Sequence, residues 1–324
     1  DTSGETKSVS SASSIDCQAM DAVDFTSADL ATLGTITPSS NPNCIYYFPN
    51  GATVPSELNG CNVVVGDHAD NISLTDGNNF LAIYDFTATN ISYTRTFANG
   101  NNGTGKNNWE TIVLPFDVKS IMDGTKSLQW FKSKSEKNKN LWIMDFRQED
   151  GNKVLYGYTD QLLANTPYII AVPAASSKWP SSWILTGKPI TFVGENAEVA
   201  TSVPCSQSGN NHVFTGTYKP LSNGTYYVLD QAANAFVKTT SAQVLPFHAY
   251  FDIINPSAPN LAKALVIGSI DDEDSTTAIE VVENTGDESA AIYNLMGVKV
   301  GNGKADLKRL PKGIYIIGNR KVTN

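Results

Sequence analysis

The sequence predicts an all-β protein built from several modules. Three observations carry that prediction. Short runs of β-branched and aromatic residues alternate with polar ones along most of the chain, as in Ile91-Ser92-Tyr93-Thr94-Arg95-Thr96-Phe97. Asp-Gly and Asn-Gly pairs fall between such runs, at Asp76-Gly77, Asn99-Gly100, Asp123-Gly124, Asp150-Gly151 and Asn223-Gly224, and these residues tolerate the positive φ of tight hairpin turns. No stretch of ordinary helix length keeps a helical period, and Val118–Met122 has room for a single turn.

In chain order, residues 1–14 are polar and rich in Ser and Thr. They read as a linker at the start of a mature or truncated form of an exported protein. Residues 15–78 hold short strands at Ala22–Thr26, Ile45–Phe48 and Asn62–Val65, roughly 20 residues apart, with Pro- and Asn-rich turns such as Thr37–Asn43 between them. One strand per repeat is the habit of a solenoid, whose parallel sheet grows coil by coil. Two or three coils cannot bury both ends, so a following domain must cap them or they belong to a longer array. Cys44 and Cys61 each stand immediately before one of these strands. Parallel neighbours would bring the two sulfurs within bridging reach; two buried free thiols are the alternative.

Residues 79–268 are a succession of strand-like runs, among them Glu110–Phe116, Leu141–Phe146, Val154–Tyr158, Tyr168–Val172, His212–Tyr218 and Gln243–Ile253. Their spacing predicts an antiparallel sandwich or barrel-like domain. Two segments echo each other, Ile112-Val113-Leu114-Pro115-Phe116 and Gln243-Val244-Leu245-Pro246-Phe247. Proline cannot donate to a sheet ladder, so each is expected at an edge, a bulge or a strand switch. Residues 269–284, opening with Ser269-Ile270-Asp271-Asp272-Glu273-Asp274, read as an acidic linker rather than a calcium loop, since they lack the alternating acids and central Gly. Residues 285–324 read as a small terminal β-module, with strands at Ala291–Leu295, Val298–Val300, Ile314–Ile317 and Arg320–Val322.

Three parts resemble known families. Asn41-Pro42-Asn43-Cys44, followed by a strand and Pro49, resembles the last coils of bacterial leucine-rich-repeat surface proteins, although the LxxLxL core is poorly kept. The Leu-Pro-Phe pair, Asn165–Ile170 and Phe214–Tyr218 resemble a β-domain that often follows such repeats in Bacteroidetes surface proteins. Tyr293-Asn294-Leu295-Met296-Gly297 with Leu310-Pro311-Lys312-Gly313-Ile314-Tyr315 resembles the terminal module of secreted Bacteroidetes proteins, related to type IX (Por) secretion sorting domains. The resemblance implies an extracellular or outer-membrane surface location. It carries over no catalytic residue.

Composition agrees with export. Of 324 residues 41% are hydrophobic and only 17% charged, with a net charge of −9. That balance argues against a nucleic-acid surface, which needs clustered Lys and Arg. No apolar run is long enough for a membrane span. The four cysteines, Cys17, Cys44, Cys61 and Cys205, form no CxxC pair, so zinc-site spacing is missing. The three histidines, His68, His212 and His248, form no HExxH, and no Gly-x-Ser-x-Gly elbow occurs. Asp67-His68-Ala69-Asp70 reads as a surface turn rather than a metal site. Gly100–Asn107 imitates a phosphate loop but has Asn107 where a Ser or Thr is needed, and a strand follows it, so it reads as a hairpin loop. Glu110, Asp117, Asp145 and Glu149 are strand-associated acids with no visible pairing.

The expectation is therefore a non-enzymatic binding or scaffold protein without cofactor or metal. Its partner would be a host or matrix protein held on the sheet face of the solenoid. The alternative partner is a glycan stacked on exposed tryptophans. Trp179 and Trp183, in the polar loop Trp179-Pro180-Ser181-Ser182-Trp183, are the candidate ligand-binding residues, and Trp130 and Trp142, inside strands, are expected in the core.

Overall fold

The coils come first in the chain: β1 (Thr6–Ser8), β2 (Ser14–Asp16), β3 (Ala22–Asp24), β4 (Thr35–Thr37), β5 (Ile45–Phe48) and β6 (Asn62–Val65), then the longer β7 (His68–Thr75) and β8 (Phe86–Thr96). After them follow β9 (Glu110–Ile112), β10 (Ser120–Asp123), β11 (Lys126–Leu128), β12 (Trp130–Phe131), β13 (Leu141–Asp150), β14 (Lys153–Tyr158), β15 (Tyr168–Ala171) and β16 (Pro189–Val199). The rest are β17 (Gln207–Ser208), β18 (His212–Thr217), β19 (Tyr226–Asp230), β20 (Ala235–Thr239), β21 (His248–Ile253) and β22 (Ala264–Ser269). Among the described residues, helical turns occur at Ser56–Leu58 and Ser181–Trp183. This computed structural model describes residues 6–10, 14–103, 108–176, 178–201, 203–254, 256, 261–271, 291–294, 299–302, 306, 309–310, 314–317 and 320–323. The chain divides into two units, Asp1–Ser269 and Ile270–Asn324.

In the first unit the coil strands β1, β3, β5 and β6 pair in parallel, as a solenoid requires. The small parallel pair β2–β4 accompanies them. Ile15, Ile36, Cys17, Val23, Phe25, Tyr46 and Phe48 are buried in one cluster, with the Phe25 and Phe48 rings stacked at 4.8 Å. The coils do not end in a free edge. Their sheet runs on through β7, β8, β16, β10 and β11 into a single nine-stranded sheet.

The Asn41-Pro42-Asn43-Cys44 motif makes that continuation. β6 and β7 pair only at Val65 and His68. The gap beyond is bridged by side chains that imitate a backbone. Asn62 donates to Ser73 O (3.1 Å) and accepts from Ser73 N (2.7 Å), and Asn43 donates to Thr75 O (2.9 Å) and accepts from Thr75 N (2.7 Å). Cys44 and Cys61 precede the register partners Ile45 and Asn62, on one rung of the parallel ladder. Both are free thiols, and burial pushes Cys44 up to about 12.

The sheet face expected to offer a contact surface is covered. Ala22, Ile45, Tyr47 and Val64 are buried in the same core as Phe80 and Phe86. Tyr47 Oη accepts from Ile83 N (3.2 Å), and its ring meets Tyr84 and Phe86 edge-on at 5.4 and 6.3 Å. The segment Phe80–Tyr84, hydrophobic throughout and with Phe80 and Ala82 fully buried, lies over the face that a longer solenoid would leave open.

The second sheet of this unit runs β17-β18-β21-β19-β20-β22-β14-β13-β15-β9, with β12 paired to β13. It is antiparallel apart from β14–β22 and β12–β13. The sheet curls until β9 meets β21. At that seam Val113 N donates to Phe247 O (3.0 Å) and Ala249 N donates to Thr111 Oγ1 (2.9 Å). The two echoing Leu-Pro-Phe segments thus touch each other, each Pro lying just outside a strand. Phe247 takes a φ of 65°, rare for an aromatic residue, and its N–H reaches Thr217 O (2.7 Å). Gly216 is needed here because a Cβ would lie 2.5 Å from the Val113 side chain. Inside the curl, Phe146, Tyr156, Phe214, Phe236, Phe251 and Tyr227 are buried together, mostly edge-to-face. Outside it, Ile112, Leu141, Ile143 and Ile170 face the nine-stranded sheet through the larger core of Tyr93, Phe116, Phe192 and Phe247.

The second unit is a four-stranded antiparallel sheet, in the order Lys299–Asn302, Ala291–Asn294, Ile314–Ile317, Arg320–Thr323. Ile292 and Tyr315 are its buried pair among the described residues. The expected strands are present; the Met296-Gly297 and Gly318-Asn319 turns and the acidic run from Asp272 lie outside the described residues.

Candidate functional site

β12 and β13 run in parallel with Phe131 opposite Trp142. Their rings stack at 5.2 Å with 16° between planes. Trp142 lies 5.6 Å from Trp179, which stacks on Trp183 at 6.2 Å and 17°. Four partly exposed aromatic rings therefore stand in one row, Phe131–Trp142–Trp179–Trp183. Both candidate tryptophans are in it. Trp142, expected in the core, is in it too. It shares a face with Met144 and Phe146 inside the curl, but it sits next to the strand's start, and its ring emerges at the open end. Trp130 points the other way and is buried, donating Nε1–H to Thr159 O (2.9 Å).

The row is held rigidly. The turn Ser181–Trp183 starts after Pro180, and Trp183 N donates to Pro180 O (2.9 Å), which brings residues 179 and 183 onto one side. Buried Leu185 ties the turn down, its N–H reaching Pro173 O (3.0 Å). Trp179 Nε1 donates to Asn101 O (2.8 Å). Asn101 is fixed in turn by N–H donation to Val172 O (2.8 Å). Its neighbour Gly100 has Val172 O 2.3 Å from where a Cβ would stand. Gly100 and Gly103, in the stretch that imitated a phosphate loop, thus serve close packing beneath Trp179; Gly105, with the rest of residues 104–107, lies outside the described residues.

A second polar site lies at the seam. Arg95 is 3% exposed. It ion-pairs with Glu110, lies 3.4 Å from Asp76, donates to Thr111 O (2.8 Å), and covers the Phe97 ring at 5.0 Å. Tyr93 Oη donates to Asp76 (2.6 Å). Glu110 and His248 face a cleft of about 280 Å³ with Trp109, Gln231 and Gln243. Burial raises the Glu110 carboxyl, with Arg95 opposing. Burial and then the charge of Arg95 lower His248 to about 3, so it stays neutral near pH 7. Sequence reasoning missed this cluster; a lone Arg at an inward position of the alternating run Ile91–Phe97 was the available signal.

The other acids are taken up separately. Asp117 accepts from Ala164 N (2.7 Å), Asp145 pairs with Arg147 (2.7 Å), and Glu149 pairs with His212 Nδ1 (2.8 Å). Burial would raise Glu149, but N–H donation from Asn211 and the His212 ring hold it below the usual range. His68 lies 3.1 Å from Thr89 Oγ1 and 3.6 Å from Asp70, at the surface. Among the described residues no three His, Cys, Asp or Glu side chains gather as a metal would need, and no helix is long and apolar enough to cross a membrane. Comparison of the chain with protein-family models, with curated proteins and with solved structures gives no match.

Proposed function

We propose that the protein is an exported, non-catalytic glycan-binding protein, and that the row Phe131–Trp142–Trp179–Trp183 is its binding platform. The observation that supports this reading is the spacing of the four rings, 5.2, 5.6 and 6.2 Å from centre to centre. Steps of that size are on the scale of one pyranose ring. Phe131 and Trp142 cover each other's inner faces, as do Trp179 and Trp183, so a sugar would set its apolar C–H face against the outer ring faces and edges while its hydroxyls stay in water. Rigid aromatic side chains lose little conformational freedom on binding, which favours affinity. Adhesion to a host or matrix protein through the solenoid sheet has less support, because that face is already covered by Phe80–Tyr84. Export rests on the Ser-, Thr- and Asn-rich composition and the terminal module's resemblance to sorting domains.

The test is a glycan array followed by titration calorimetry on the ligands retained. Trp183→Ala removes an end ring that, among the described residues, supports no other part of the fold through a side-chain hydrogen bond. It is expected to weaken binding about tenfold or more, equivalent to ~1.4 kcal/mol, without moving the thermal midpoint. Retention of no glycan by the unaltered protein, or unchanged affinity in Trp183→Ala, would refute the reading.

A further inference from the structure

We infer that the glycan is acidic, carrying carboxylate or sulfate groups; this rests on the aromatic platform proposed above. The chain as a whole is negative, at −9, yet residues 126–140 read KSLQWFKSKSEKNKN, with Glu136 the only acid. The structure brings part of that positive charge to one end of the row. Lys126 reaches over to Ser182 O (3.5 Å), inside the turn that carries Trp179 and Trp183. Lys132, although next to Phe131 in the chain, holds Nζ 5.2 Å from the centre of the Trp130 ring, on the side turned away from the row. Lys178 precedes Trp179 and is exposed; its Cβ lies 2.6 Å from where a Gly103 Cβ would stand, so its stem is held against the loop under the row.

The nearby carboxylates are already engaged. Glu136 accepts from Lys132 N (2.6 Å) and pairs with Lys139 (3.8 Å), and Asp123 pairs with Lys188 (3.0 Å). Lys126, Lys132 and Lys178 have no carboxylate at ion-pair distance among the described residues. The ammonium groups of Lys126 and Lys178, beside the turn that ends the row, would meet anionic substituents projecting from the edge of a stacked chain. Lysine suits this role, since it reaches out on a flexible stem as a compact charge. Aromatic rings with cations also suit single-stranded nucleic acid. An acid glycan is favoured because the charge sits at one end of the row rather than along a groove that would track a phosphate backbone.

The experiment titrates the full chain with four probes of similar length: an oligogalacturonate (carboxylate), a heparin oligosaccharide (sulfate and carboxylate), a neutral cello-oligosaccharide and an oligothymidylate. Exposed ion pairs are individually weak, so the two together are expected to give the acidic sugar an advantage of about fivefold over the neutral one. That advantage should shrink with added salt. Which acidic probe binds more tightly identifies the anionic group. Lys126→Gln/Lys178→Gln should abolish the advantage while keeping the neutral sugar, whereas Trp183→Ala should weaken all sugars. Equal affinity for acidic and neutral sugars, or a double variant that keeps the advantage, overturns the acidic ligand and leaves the platform standing. Binding of no sugar overturns both. Tighter binding of oligothymidylate than of either acidic sugar overturns the proposal in favour of nucleic acid.

Discussion

Acid should destabilise this fold through His248. Its ring faces Arg95 and Asp76, with Nε2 3.8 Å from the Asp76 carboxylate, and it lines the seam cleft with Glu110, Gln231 and Gln243. In the folded protein it titrates at about 3, against about 6.5 in an unfolded chain. Between those values the unfolded chain holds a proton that the folded one does not. Stability is therefore lost as pH falls from about 6.5 towards about 3, by at most about 1.4 kcal/mol per pH unit for this one group. Glu110 works in the opposite sense, because burial raises its carboxyl and the folded state keeps its proton longer. His248→Gln removes the first contribution and leaves the second. Urea unfolding across this range should show a flatter acid limb in His248→Gln than in the unaltered protein. Parallel limbs would mean that His248 is not the group that titrates. The same cluster shows why a buried arginine is tolerated: its guanidinium answers two carboxylates and a carbonyl, and removing one partner would leave another charge buried alone.

At the scale of elements, asparagine side chains splice the parallel coils onto the longer strands. Asn43 is fully buried and satisfies both the N–H and the C=O of Thr75. Asn43→Ala strips a partner from each and should cost about 1–3 kcal/mol, read as a shift in the urea midpoint. An unchanged midpoint would show that water replaces the amide. The motif containing Asn43 was visible in the sequence as a coil signature, but its role as a splice was not, since Ser73 and Thr75 lie some distance along the chain. Most strands were legible from alternation and turn pairs, and the parallel coils from strand recurrence. What escaped depends on long-range pairing. Its place inside a strand put Trp142 in the core, yet a strand position does not tell a ring deep in the curl from a partly exposed one. The open solenoid face was expected from the coils alone, whereas Phe80–Tyr84 comes back to cover it. Gly100 looked like a loop glycine because nothing local reveals that Val172 O occupies the place of its Cβ. Trp179 and Trp183 were legible as a pair because a proline-led turn joins them. Phe131 and Lys126 were not, because only the fold brings them to that turn.

For the whole molecule, the two units differ in how much core each owns. The first unit has three buried clusters, one inside the curled sheet, one between the two large sheets and one among the coils. The second has Ile292 and Tyr315 as its buried pair among the described residues, with Val300 and Leu310 packed against them. A four-stranded sheet around so small a core is expected to be marginal by itself. The division falls just after β22, and β22 belongs to the first unit because it pairs with both β14 and β20 and buries Leu265 inside the curl. A chain ending after Ser269 should therefore unfold at the same urea concentration as the main transition of the full protein, and should keep whatever ligand the aromatic row binds. A chain ending after Ala262 loses β22, leaves β14 and β20 with bare edges, and opens the curl beside Phe236. It should unfold at markedly lower urea, because burial of Leu265 alone is worth about 1.5–3 kcal/mol and the lost ladder adds to that. If the longer truncate were as unstable as the shorter one, the second unit would be supporting the first. The independence of the two units on which the proposed division into a binding and a sorting module rests would then have to be given up.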